Sequence, residues 1–171
     1  MKGIDDPMTL ADIKVQSLII KGIKKFWPNL TIVAEESQEF QGELEFDFNR
    51  LNPHILSDQY FLKGKKAENF NNEISIEDSV VWIDPLDGTL SYVKNELDAV
   101  TTLIGLSNNL KPVLGIIGHP YPRTVSNDPS KYEFDPQVYF GFSQVGNIFS
   151  YTASQLEQLQ QNQQQQGEET L

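Results

Sequence analysis

The sequence predicts an α+β fold, a layered α–β sandwich in which a mainly antiparallel sheet is flanked by helices. Three observations predict it. An amphipathic helical pattern lies near the N-terminus, short β-branched runs follow it, and four of those runs fall into two pairs joined by hairpin-length polar links. Hydrophobic residues make up 39% of the 171, enough for a packed core.

The helix is expected over Thr9–Phe26. Val15, Leu18, Ile19, Ile23 and Phe26 recur at three- and four-residue steps, and Lys14, Lys21, Lys24 and Lys25 fall largely elsewhere. Thr9 with Asp12 three residues on fits an N-terminal capping arrangement. Trp27-Pro28 ends the helix, because the residue before proline avoids α geometry. Leu30–Ala34 is a short β-branched strand that runs directly into Glu35-Glu36-Ser37. From Gln38 to Asp78 the pattern is polar and charge-rich, a long insertion with one short helix expected near Asn52–Lys63. Strands return at Ser79–Asp84, Ala99–Ser107 and Pro112–Ile117, the last two joined by Asn108-Asn109-Leu110-Lys111 as a hairpin. Gln137–Ser143 and Asn147–Tyr151 form a second hairpin across Gln144-Val145-Gly146. From Ser154 the chain is Gln-dense and low in complexity, with little to bury beyond a helical turn or two. The expected organisation is therefore one domain over residues 1–153 and a Gln-rich tail over 154–171.

Composition excludes several classes. A formal net charge of −11 argues against binding nucleic-acid polymers or anionic membranes, since no basic footprint is present to neutralise phosphates. The absence of cysteine removes disulfides and Cys-ligated zinc. The opening MKGIDDPMT has no signal-peptide pattern, and no apolar run approaches the ~18 residues that span a bilayer, so a cytoplasmic protein is expected.

Residues 81–94, VWIDPLDGTLSYVK, concentrate the chemistry. A strand enters two aspartates three residues apart, Asp84 and Asp87, and Gly88-Thr89 follow at once. Magnesium takes oxygen ligands and is held by one or two carboxylates plus waters and substrate phosphate. Glu35, Asp84 and Asp87 all sit at expected strand ends, and those ends can meet if the two strands are neighbours in a sheet. Pro85 stiffens the turn between the aspartates, and Leu86 offers a backbone carbonyl as a further oxygen ligand. If a helix begins at Gly88-Thr89, its first N–H groups suit a phosphate. The Thr89 hydroxyl would then lie near a metal-bound water whose proton Asp12 could take. Each feature has a plainer reading. Asp-Pro-Leu-Asp-Gly is good turn chemistry without a metal, Asp12 is a capping residue, and Glu35-Glu36 is a solvated pair after a strand. His54 and His119 are isolated and read as structural or surface residues.

Together these pieces resemble the inositol-monophosphatase superfamily of Mg²⁺-dependent, lithium-sensitive phosphomonoesterases. The likeness rests on Trp82-Ile83-Asp84-Pro85-Leu86-Asp87-Gly88-Thr89-Leu90-Ser91-Tyr92-Val93-Lys94, on Thr9-Leu10-Ala11-Asp12, and on Ala34-Glu35-Glu36-Ser37, with Ala34 where the family usually has Gly. It spans about Lys2–Tyr151. Leu97–Leu106 and Pro112–Ile117 are most similar to the 3′(2′),5′-bisphosphate nucleotidase branch. Glu35–Phe40 and Tyr139–Phe142 also resemble inositol polyphosphate 1-phosphatase. The resemblance implies that Glu35, Asp84, Asp87 and the Leu86 carbonyl bind Mg²⁺, with two or three ions in the complete family site and Mn²⁺ as a substitute. It implies that Thr89 with Asp12 activates the attacking water and that the Gly88 and Thr89 N–H groups hold the phosphate. The implied reaction removes the 3′-phosphate of adenosine 3′,5′-bisphosphate to give AMP. The alternatives are an inositol (poly)phosphate 1-phosphatase, or a truncated, inactive remnant serving as an interaction module. Family members continue into a second α/β half with a Trp-Asp motif that this sequence lacks. The expectation is thus the N-terminal, sugar-phosphatase-like half of the fold, with uncovered surface that favours self-association.

Overall fold

Helix α1 (Leu10–Phe26) starts at the predicted cap and packs its Ile19, Ile20 and Ile23 on a sheet whose buried centre is Leu30, Val81 and Ile83. The computed structural model describes residues 8–48, 51, 74–122, 135–143 and 148–158. The helix expected near Asn52–Lys63 and the Gln144-Val145-Gly146 link lie outside them. At its far end α1 stops on Trp27, whose N–H returns to the Ile23 carbonyl at 2.9 Å. Lys24 Nζ donates to the Pro28 and Leu30 carbonyls at 2.9 and 2.7 Å, a cation placed at the negative end of the helix dipole.

The strands are β1 (Thr31–Ala34), β2 (Ser79–Asp87), β3 (Thr101–Asn108), β4 (Lys111–His119), β5 (Gln137–Phe142) and β6 (Ile148–Thr152). They form one sheet in the order β1-β2-β3-β4-β5-β6. Only β1 and β2 run parallel, and every later pairing is antiparallel, as expected of a mainly antiparallel sheet. A one-turn helix α2 (Thr89–Val93) and a 3-10 turn at Leu97–Ala99 link β2 to β3. Residues 153–158 are helical, in line with the turn or two expected at the head of the Gln-rich stretch.

Opposed residues in a ladder share a face. Ala34, Ile83, Ile104, Ile116, Phe140 and Phe149 are paired across the sheet and form one apolar row on the face that α1 covers. Phe140 stacks on Phe149 with ring centroids 5.3 Å apart. The neighbouring row, Val33, Trp82, Gly105, Gly115 and Gly141, belongs to the opposite face. That face is open: Trp82 is 52% exposed, Ile117 45% and Ile148 80%. The β3–β4 hairpin turns at Asn109 and Leu110, both with positive φ (49° and 63°), the geometry of a type I′ turn matched to strand twist.

One local expectation is corrected. Asp84-Pro85-Leu86-Asp87 is not a turn beyond the end of β2, because the strand continues through Asp87. The chain accommodates the sequence as a bulge: Asp84 pairs with Leu103 and Asp87 with Thr101, so three steps on β2 face two on β3. Pro85 has no N–H to give a ladder and is tolerated at such a point.

Candidate metal centre

The bulge determines the geometry of the acidic cluster. In a regular strand, residues three apart point to opposite faces. Leu103 and Thr101 are two apart and share a face, so their partners Asp84 and Asp87 share it too. The extra residue has turned Asp87 back onto the side of Asp84. Parallel pairing of β1 with β2 completes the arrangement. Ala34 is opposite Ile83, and the Glu35 N–H donates to the Ile83 carbonyl at 2.9 Å, which continues the ladder one residue and sets Glu35 beside Asp84. All three acids predicted from sequence thus stand at one end of the open face.

The Glu35 carboxyl is hydrogen-bonded to Asp84, and partial burial, that contact and the nearby charges of Glu35 and Asp87 push the Asp84 pKa up to about 6, against a smaller downward pull from the Leu86 backbone. Asp84 is half-buried, so desolvation weighs on its charged form. Asp84 Oδ1 is buried without any hydrogen-bond partner. Asp87 is steadied by the Thr101 hydroxyl, which donates to its Oδ2 at 3.2 Å, and the Thr102 hydroxyl donates to the Pro85 carbonyl at 2.8 Å. A cavity of about 290 Å³ opens beside the acids, lined by Val33, Glu35, Trp82, Asp84, Leu103 and Gly105 among others.

On the α1 side of the same strand end, Asp12 is fully buried. Its Oδ2 accepts from the Thr9 N–H at 2.7 Å and the Thr9 hydroxyl at 2.5 Å, completing the capping box. Its Oδ1 lies 3.1 Å from the Thr89 hydroxyl, which also lies 2.9 Å from the Leu86 carbonyl. That hydroxyl has one proton and two acceptors to choose between. The capping and the functional readings of Asp12 are therefore compatible, one oxygen serving each. Gly88 takes φ 91°, and a Cβ there would lie 2.8 Å from the Ala99 carbonyl oxygen, so the strand-to-helix corner requires glycine. The Gly88 and Thr89 N–H groups stand at that corner, at the head of a helix only five residues long. His119 approaches the Asp98 carbonyl at 3.1 Å, which fits its reading as a structural residue, and His54 is outside the described residues.

Sequence reasoning missed Gln16. It is 3% exposed and its amide pairs with Glu36 in both directions: Nε2 donates to the Glu36 carbonyl at 2.8 Å and the Glu36 N–H donates to Oε1 at 2.9 Å. The signal was present, because Gln16 falls in the same helical stripe as Asp12, Ile19 and Ile23.

The donor set is carboxylate and carbonyl oxygen, which suits a hard cation. Among the described residues no three His, Cys, Asp or Glu side chains close into a ready-made cage. Magnesium does not need one, since it keeps several waters and is bound through one or two carboxylates. The buried, unpartnered Asp84 Oδ1 beside two further carboxylates marks a cluster short of positive charge, so these residues fit the ion.

Comparison with known proteins gives the family of the chain. The sequence model of the Inositol monophosphatase family matches residues 1–170, and the chain belongs to that family. It is 36% identical over 121 residues to 3′(2′),5′-bisphosphate nucleotidase 1 of Dictyostelium discoideum, covering 71% of this chain and 37% of that protein. It is 32% identical over 121 residues to inositol monophosphatase 3 of Xenopus tropicalis, covering 71% of this chain and 32% of that protein. An IMPase/NADP phosphatase solved with Mg²⁺ and phosphate shares the fold, with a TM-score of 0.50 at 15% identity over 88% of this chain and 40% of that one. The chain thus spans about a third of the length of these curated relatives. No helix among the described residues is long and apolar enough to cross a membrane.

Proposed function

We propose that this chain carries the metal-binding half of a Mg²⁺-dependent phosphomonoesterase acting on the 3′-phosphate of adenosine 3′,5′-bisphosphate. The observation that carries the reading is the bulge at Asp84–Asp87, which brings both aspartates to the face and the end where parallel pairing sets Glu35. In this reading Glu35, Asp84, Asp87 and the Leu86 carbonyl hold Mg²⁺, with Mn²⁺ as a substitute. When bound, the ion supplies Lewis acidity and shields negative charge on the phosphate.

The chain's own residues account for the proton. Thr89 donates its hydroxyl proton to Asp12 Oδ1, which leaves the Thr89 lone pairs to accept from an attacking water. Thr9, holding Asp12 Oδ2 with two donors, keeps Oδ1 aimed at Thr89. The water oxygen bonds to phosphorus, its proton passes to Thr89 as the Thr89 proton passes to Asp12, and the P–O3′ bond breaks. The leaving O3′ oxygen takes a proton from solvent water, Asp12 returns its proton to solvent, and AMP and inorganic phosphate are the products. First-turn N–H groups at Gly88 and Thr89 orient the phosphate oxygens.

The similarity to inositol monophosphatase 3 favours an inositol phosphate as the second substrate reading. Phosphate release from adenosine 3′,5′-bisphosphate and from inositol 1-phosphate, with Mg²⁺ and with chelator, tests both. Turnover of the nucleotide that Asp84→Asn with Asp87→Asn abolishes supports the first reading. Turnover of inositol phosphate alone moves the assignment to the second. Metal uptake without turnover of either leaves a binding module in place of an enzyme.

A further inference from the structure

We propose that Gln16 is a positioning residue for the metal centre, holding the β1 end so that Glu35 meets Asp84. The proposal rests on the metal reading above. The β1–β2 ladder ends at Glu35, whose N–H is the last to reach β2. The next residue, Glu36, is buried, and its N–H and carbonyl both go to the Gln16 amide. Two opposed hydrogen bonds to one planar amide fix both the height and the rotation of that peptide. A single bond would leave the peptide free to turn. One residue further from β1 than Glu35, the clamp sets where the Glu35 side chain starts. Phe40 N–H extends the anchorage by donating to Ser17 Oγ at 3.2 Å.

The same helix steadies the other arm of the site. Asp12, one turn before Gln16, meets Thr89 just beyond Asp87. A helix is stiff over one turn, so α1 holds the end of β1 and the end of β2 from a single rod. Mg²⁺ tolerates little departure from octahedral placement of its ligands. Loss of the clamp therefore weakens metal binding beyond any general loss of stability.

The test is Mn²⁺ binding to the 171-residue chain, followed by calorimetry and by the electron paramagnetic resonance signal of the free ion. Gln16→Met keeps side-chain length and helix propensity and removes both bonds. Gln16→Glu keeps an acceptor for the Glu36 N–H and removes the donor. Ile23→Ala, on the same helix and remote from Glu36, serves as a control for lost stability. The expected result is a Kd raised at least tenfold in Gln16→Met, by a smaller factor above threefold in Gln16→Glu, and by less than twofold in Ile23→Ala. If Gln16→Met does not fold by circular dichroism, Gln16→Glu decides against the same threefold line. A Kd within threefold of the parent, or an equal weakening in Ile23→Ala, overturns the proposal while leaving the metal reading intact. A parent chain that takes up no Mn²⁺ overturns the metal reading, and the proposal falls with it.

Discussion

Replacing Asp84 by Asn is expected to stabilise the metal-free chain while removing its response to metal. In the folded chain, burial and the adjacent acids hold the Asp84 pKa near about 6 against an ordinary value of 3.8. At pH 7.5 the carboxylate is ionised in both folded and unfolded chains, and folding works against that charge. The full shift corresponds to about 3 kcal/mol. Asp84 is only half-buried, and solvent screening reduces this to about 1–2 kcal/mol. The sign follows from linkage: a group whose folded pKa is raised contributes stability that is complete below 3.8 and lost as pH rises through about 6. Asp84→Asn should therefore gain about 1–2 kcal/mol at pH 7.5 in chelator, seen as a higher urea midpoint at unchanged slope. The gain should shrink towards nothing by pH 4. With Mn²⁺ at a hundred times its Kd, the parent should gain about 2.7 kcal/mol and the variant nothing, so the order of the two reverses. A variant equal to or less stable than the parent at pH 7.5 in chelator would refute the claim that Asp84 stands in a charge-frustrated cluster.

Other perturbations probe the supports of the site. Thr9→Ala removes the capping oxygen and the hydroxyl donor to Asp12 Oδ2 while leaving the backbone N–H in place, and a loss of about 1 kcal/mol is expected by denaturant titration. Gly88→Ala must adopt φ 91° and push against the Ala99 carbonyl, so a loss of about 1–3 kcal/mol is expected, with a lowered thermal midpoint. Leu110→Gly relieves a left-handed leucine that is 99% exposed in the β3–β4 turn, and a gain of about 1 kcal/mol is expected in the same measurement.

Much of the layout was legible in the sequence because it depends on local signals. Ile19 and Ile23 marked the buried stripe of α1, Thr9 and Asp12 its start, and Asn109-Leu110 the turn between β3 and β4. The three acids were legible as a group because each sits at the end of a β-branched run. Three features were not legible, the first two because they depend on partners distant in sequence. Asp-Pro-Leu-Asp-Gly has the composition of a turn, and only the register against Thr101 and Leu103 shows that it is a bulged strand. Gln16 carries no motif; its place in the buried stripe of α1 is readable, but its partner is not, because it appears only when the peptide of Glu36 is brought against it. Trp82 is a third case. It looks like a core residue in a buried strand, yet alternation sends it to the open face, opposite the side taken by Val81 and Ile83.

The sheet's order copies the order of the chain, which carries a kinetic consequence. Each antiparallel neighbour pair closes a shorter connection, the longest being residues 120–136, whereas joining β1 to β2 must close the whole of residues 35–78. Closure entropy grows with that length, and non-local contacts form late in folding. The meander from β2 to β6 should therefore become protected from hydrogen exchange first, with β1 docking afterwards. Glu35 would then arrive last at a pair of aspartates already in place, and a divalent ion present during refolding should speed that final step more than any before it.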